Sequence, residues 1–199
     1  MFPEEQMSQA MPDFAAARRA MIDSQLRPEG VTNPALLAAM ASLPRERFVP
    51  ETVRAIAYSD RPLDLGGGKA LMPPVALAKL VGELDPRPGE SALVVGSGND
   101  YAAKVLETLG LSVDVSATAE AAGKAIYDLI LIDGAVEEVP AGLVARLAPH
   151  GRLGTAIADN GVTRLAVGRV AGGILGLKRF ADAEVPLLSQ FTRPRAFTF

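Results

Sequence analysis

Between residues 91 and 157, short apolar runs return at intervals that fit strands separated by helices. The runs are Ala92–Val95, Ser112–Val115, Tyr127–Ile132 and Arg152–Ile157; helical stretches fall near Asp100–Leu109, Ala119–Ala125 and Ala141–Leu147. Strands joined through helices pair in parallel, and the joining helices pack on the faces of the sheet. The chain is therefore expected to build an open α/β sheet. Its 199 residues, 49% of them hydrophobic, suit one domain with a substantial core over 1–199, a helical part over 1–60 and a sheet part over 61–199.

The flanks can be read in the same way. Asp13–Leu26 is an amphipathic helix with Phe14, Ala17, Met21 and Leu26 sharing much of one face, and Pro28 ends it. A second helix starts after Thr32, Asn33 and Pro34 and carries Leu36, Leu37 and Met40; a short one follows near Glu51–Ala57. In "DRPLDLGGGKALMPPVALAKLVGEL" the triple glycine predicts an irregular loop and the double proline a helix start. Beyond Ile157, Asn160–Gly161 is a hairpin signal, and the end of the chain reads as further strand and loop. The sheet should thus carry an antiparallel C-terminal edge.

Composition removes several classes of function. A net charge of −3, from 20 basic and 23 acidic residues, sets up no field that would recruit nucleic acid or an anionic membrane. There is no cysteine, hence no disulfide, thiolate nucleophile or cysteine-ligated metal. The one histidine, His150, lies in the turn "LAPHGRL" and reads as a solvated loop residue, so neither a metal site nor a Ser-His-Asp triad is expected. The acidic N-terminus lacks a basic region followed by an apolar run, and no stretch approaches the roughly 20 apolar residues of a spanning helix. A cytoplasmic location is the expectation.

The stretch "ALVVGSGNDYAAKVLETLG" places a glycine turn between a strand and a helix. Ligands of open α/β sheets bind there, where glycines admit a close approach and a helix N-terminus offers free N–H groups. A dinucleotide fingerprint would need a third glycine where Tyr101 stands, so a nicotinamide cofactor is not expected. Asn99 and Asp100 also suit a helix cap, and spacing alone leaves a ligand loop and a capped turn both open.

Three stretches together resemble the protein-L-isoaspartate O-methyltransferase family. They are "RRAMIDSQLRPEGVTNPALLAAMASLPRERFVPE" with "AYSDRPLDLGGG", then "ALVVGSGNDYAAKVLETLG", then "YDLILIDGAVEEVPAGLVARLAPHGRL". The resemblance spans most of Arg18–Leu153. It implies a Rossmann-like methyltransferase sheet with helices on both faces and S-adenosylmethionine as cofactor, without a metal. The reaction it implies is methylation of isoaspartyl carboxylates in damaged proteins, a repair step. Carried over position by position, it implies Gly96, Ser97, Gly98, Tyr101 and Asp133 beside the cofactor and Asp60, Gly68, Lys69 and Met72 beside the substrate. No residue is assigned a catalytic role.

The departures from the family pattern gather at these positions. The loop hydroxyls after the glycines are replaced by Lys69, Ala70, Leu71 and Met72. Lys69 reads first as a solvated lysine, although its ammonium also offers a cation to a carboxylate. The acid before the turn is Val94 and the third glycine of the family turn is Asp100. The acid that would hold the ribose hydroxyls falls at Ala117, and one βα unit between there and "YDLILID" is missing. Asp133 doubles as a plain Asp-Gly turn residue.

Two readings of function follow. One is a methyltransferase of this family; the other is a non-catalytic binding or assembly protein that has lost S-adenosylmethionine. The combined losses point to weakened cofactor affinity, and a different small ligand is a third reading. The apolar N-terminal helices and the final "RAFTF" are surfaces available to a homodimer.

Overall fold

The computed structural model describes residues 12–96, 98–118, 125–172 and 174–192. Its centre is a six-stranded sheet ordered β4-β3-β5-β6-β7-β8, formed by β3 (Ser91–Val95), β4 (Ser112–Ser116), β5 (Tyr127–Val136), β6 (Leu147–Asp159), β7 (Val162–Ala171) and β8 (Ile174–Asp182). β3 pairs in parallel with β4 and β5, and β5 with β6; β7 and β8 then run antiparallel as a meander. Asn160 and Gly161 form the turn between β6 and β7, where the hairpin signal stood. Among the described residues β4 is the edge strand of the sheet. The helix expected over Ala119–Ala125 falls almost wholly outside the described residues, and "RAFTF" lies outside them.

The helical first quarter packs as its capping residues dictate. α1 (Phe14–Met21) is capped by Asp13, whose carboxylate accepts from the Ala16 N–H at 2.9 Å, and runs directly into a π-helical turn, Ile22–Leu26. α2 (Pro34–Ser42) is capped by Asn33, which accepts from the Ala35 and Leu36 N–H groups. α3 (Glu51–Arg54) is a single turn. Where an irregular loop was expected, the chain makes a hairpin, β1 (Leu63–Gly66) with β2 (Lys69–Leu71). Gly66, Gly67 and Gly68 all take φ between 62° and 81°, so the three glycines close a tight turn that residues with a Cβ would resist. α4 (Pro74–Leu84) follows, and its prolines sit at the helix start as expected.

Each central strand is buried on both faces. Ala92 and Val94 of β3, with Leu129 and Leu131 of β5, join a core layer with α1, α2, α4 and α5 (Tyr101–Thr108). Leu93, Val95, Ile130 and Ile132 point the other way, into a second layer with Leu143, Leu188 and Phe191. Among the described residues, that second face is covered in part by α6 (Ala141–Val144), which is shorter than expected and is followed by β6 from Leu147. Leu188 and Phe191, from the stretch 185–191, pack on the same face.

At the amino end of the sheet, Arg152 of β6 acts as a staple. Its guanidinium donates to the Leu84 and Asp85 carbonyls at the end of α4 and to both carboxylate oxygens of Glu90. The Arg152 hydrogen bond holds Glu90 below its usual value of 4.5, and the Ser91 N–H and hydroxyl hold Asp128 below 3.8. Carboxyls depressed on folding contribute stability above their unfolded pKa and lose it as pH falls through the folded one. Urea midpoints across a pH series should therefore fall below about pH 4.5, and Glu90→Gln should flatten that limb. An acid limb identical in the variant would remove Glu90 from this account.

Candidate active site

The site is built where β3 ends. After Val95 the chain turns through Gly96 (φ 125°) and Gly98 (φ 67°) into α5, a backbone path that favours glycine. Asn99 fixes the turn just before α5: its side-chain carbonyl accepts from the Tyr101 N–H at 2.7 Å, and its amide donates to the Phe48 carbonyl at 2.9 Å. Asp100 stands at the N-cap of α5 without a side-chain hydrogen bond, so the capped-turn half of the expectation is met through Asn99, one residue earlier. Asp100 is exposed, and Ser97 lies outside the described residues.

The hairpin β1–β2 overhangs this turn. A Cβ on Gly98 would lie 3.0 Å from Cγ of Lys69, so the Lys69 stem rests on the glycine. Gly68 is exposed at the hairpin tip. Asp60 accepts from the Val75 N–H at 3.1 Å, which gives α4 the cap that Pro73 cannot supply. Met72 is buried, with its carbonyl accepting from Arg45.

Beneath the turn is a buried polar centre that sequence reasoning missed. Arg45 is fully buried; its Nε–H donates to the Ala57 carbonyl at 2.7 Å, Nη2 donates to the Met72 carbonyl, and the guanidinium lies 4.8 Å from the Tyr101 ring centroid. Burial lowers the Arg45 pKa, while Tyr101 and then Asp133 oppose that shift. Arg45 Nη1 and the Tyr101 hydroxyl have no hydrogen-bond partner among the described residues. Tyr101 packs edge-on to Phe48 in the core, and Asp133 is likewise buried. One signal was available in "LPRERF", an arginine set between a proline and apolar anchors.

The space over the turn belongs to another part of the chain. A Cβ on Gly96 would come within 2.5 Å of Cδ1 of Leu188, and one on Gly134 within 2.5 Å of its Cγ. Gln190 donates to the Gly96 carbonyl (3.5 Å) and to the Ala117 carbonyl (3.3 Å) at the end of β4. Asp114, which the strand offset directs away from a ligand, accepts from the Tyr127 hydroxyl at 2.7 Å. The glycine turn suits a closely approaching ligand, and Leu188 fills the space between Gly96 and Gly134 beside it. Among the described residues no group of three His, Asp or Glu side chains could hold a metal, and no helix is long and apolar enough to cross a membrane.

A mostly parallel sheet with a glycine turn at the end of β3 is a Rossmann-like α/β arrangement, whose ligands bind beyond the carboxyl ends of the strands. Residues 16–116 match the family model described as protein-L-isoaspartate(D-aspartate) O-methyltransferase. The chain is similar to the protein-L-isoaspartate O-methyltransferase of Gloeobacter violaceus, 35% identical over 84% of this chain and 96% of that one. That of Methylorubrum extorquens is 34% identical over 73% and 76%. A Plasmodium falciparum structure titled as such a methyltransferase, in complex with S-adenosyl-L-homocysteine, shares the fold. Its TM-score is 0.72 at 17% identity, covering 87% of this chain and 98% of that one. This chain belongs to the protein-L-isoaspartate O-methyltransferase family, whose cofactor is S-adenosylmethionine.

Proposed function

We propose that the chain performs its family's reaction, transfer of a methyl group from S-adenosylmethionine to an isoaspartyl carboxylate of a protein. The observation that carries this reading is the positive-φ glycine turn at Gly96 and Gly98 at the end of β3, with the Lys69 stem resting on Gly98. The cofactor supplies an activated methyl group; the chain supplies position. In this reading the backbone of Gly96, Ser97 and Gly98 meets the cofactor, and Gly68 and Lys69 face the substrate, with the Lys69 ammonium drawing in its carboxylate. Tyr101, Asp133 and Met72 are buried and Asp60 is a helix cap, so these four support the site from behind. Damaged cytoplasmic proteins are the substrates this reading expects.

Radiolabelled methyl transfer to an isoaspartyl peptide, with the aspartyl peptide as control and the cofactor at about 1 mM to reach weak binding, tests it. The expected product is a base-labile methyl ester on the isoaspartyl peptide alone. No label above the enzyme-free control would overturn the proposal and leave the non-catalytic reading. That second reading is favoured by Ala117, which brings no carboxylate to the end of β4 and whose carbonyl is already taken by Gln190.

A further inference from the structure

The glycine turn and the hairpin that carries Lys69 are the two walls of the site, and a third element ties them together. Lys69 meets the turn through its stem, whose Cγ lies 3.0 Å from where a Cβ of Gly98 would stand. Among the described residues no hydrogen bond runs directly between the hairpin and the turn. Apolar contact of a lysine stem leaves the spacing of the walls loosely set, whereas hydrogen bonds are directional. Both walls make such bonds to one short segment, the 3-10 turn Arg45–Phe48.

Three of its four residues share the work. Arg45 donates to the carbonyl of Met72, the residue that follows β2, and so holds the hairpin. The Phe48 carbonyl accepts from the Asn99 amide at 2.9 Å, and the Phe48 ring packs edge-on to Tyr101, the first residue of α5, with centroids 5.2 Å apart. Glu46 accepts from Arg18 of α1 at 3.2 Å and from the Tyr58 hydroxyl, which fastens the segment to the helical part of the chain. Asn99 itself is buried, with its carbonyl bonded to the Tyr101 N–H and its amide to Phe48. A buried amide engaged at both ends cannot shift without leaving a polar group unpaired.

We infer that Asn99 is a positioning residue for methyl transfer: it registers the glycine turn on residues 45–48, which register the hairpin through Met72, and so sets the spacing between methyl donor and carboxylate. The inference rests on the proposed function, in that it takes the donor to lie on the turn and the carboxylate at the hairpin. Loss of the register costs rate more than binding, because transfer needs reacting atoms aligned within limits that either ligand's own contacts tolerate. Asn99→Asp separates the two bonds. Its carboxylate still accepts from the Tyr101 N–H and suits a helix start, but it offers no proton to the Phe48 carbonyl. Asn99→Ser likewise keeps an acceptor beside Tyr101 and loses the amide.

The full chain, Asn99→Asp and Asn99→Ser are compared in methyl transfer to an isoaspartyl peptide and in calorimetric titration with S-adenosyl-L-homocysteine. The expected result is kcat lower by roughly 10- to 100-fold in both variants, with the peptide KM and the Kd of S-adenosyl-L-homocysteine changed by no more than about threefold. A titration stoichiometry equal to that of the unmutated chain shows that the lost rate is not a lost fold. Hydrogen exchange supplies a readout apart from activity: amides at 69–71 should exchange faster in the variants, although the substitution lies in the turn, while those at 129–132 stay protected. An unchanged kcat, a loss carried by KM or Kd alone, or exchange at 69–71 that does not rise would overturn the positioning role and leave the proposed function standing. No transfer by the unmutated chain would overturn the proposed function and the role in transfer with it, and exchange would still report whether the turn and the hairpin are tied.

Discussion

Arg45→Ala is expected to destabilise the fold by about 3–5 kcal/mol, the range for breaking a buried charged network. The side chain is fully buried, and its loss strands the Ala57 and Met72 carbonyls while emptying the space over the Tyr101 ring. Two terms add: unsatisfied buried acceptors and a cavity. Arg45→Met keeps much of the volume and should recover part of the loss. The consequence reaches the site, because Met72 directly follows the hairpin whose Lys69 lies on Gly98 and Tyr101 begins the helix after the turn. Urea denaturation of the three proteins reads the effect. A midpoint unchanged in Arg45→Ala would mean that Arg45 carries no such network.

The second large effect is expected at the other end of the sheet. Arg152→Ala should lower stability by about 2–4 kcal/mol, since one guanidinium closes the α4 carbonyls of Leu84 and Asp85 and pairs with Glu90. Asp85 turns left-handed there (φ 48°), so α4 ends abruptly and its last carbonyls depend on Arg152. Arg152→Lys keeps the charge but loses the planar fork, and it should retain less than half of the stabilisation. Equal thermal midpoints for wild type and Arg152→Lys would show that charge alone suffices.

Much of the architecture could be read from the sequence because its signals are local. The apolar runs marked β3 to β6, Asn33 and the prolines marked helix starts, and Asn160–Gly161 marked the turn into the antiparallel edge. Two boundaries differ for physical reasons. The glycines at 66–68 suggest an irregular loop, yet three left-handed residues close a hairpin, and the helix expected to reach Leu147 stops at Val144, with Leu147 itself pairing with Tyr127 of β5. In the site, residues within one motif were legible: Gly96 and Gly98 at the turn, Asn99 holding the first N–H of α5. What was not legible arrives from a distance. Leu188 lies some ninety residues beyond Gly96 in the chain, and nothing in "EVPLLSQF" says which lane of the sheet it enters. Arg45 was passed over because a buried arginine is an exception that only its carbonyl partners explain.

The place of β4 at the edge of the sheet has a consequence for how copies of this protein meet. An unpaired edge is a template on which other chains can extend a sheet, and Val115 is exposed there. The strand reads Ser-Val-Asp-Val-Ser, the same in both directions, so antiparallel pairing of two copies in register would set Asp114 against Asp114. Two carboxylates facing each other at that distance repel, and each is already engaged by its own Tyr127 hydroxyl. Among the described residues the border strand thus carries at its centre a charge that disfavours pairing with a second copy in that register.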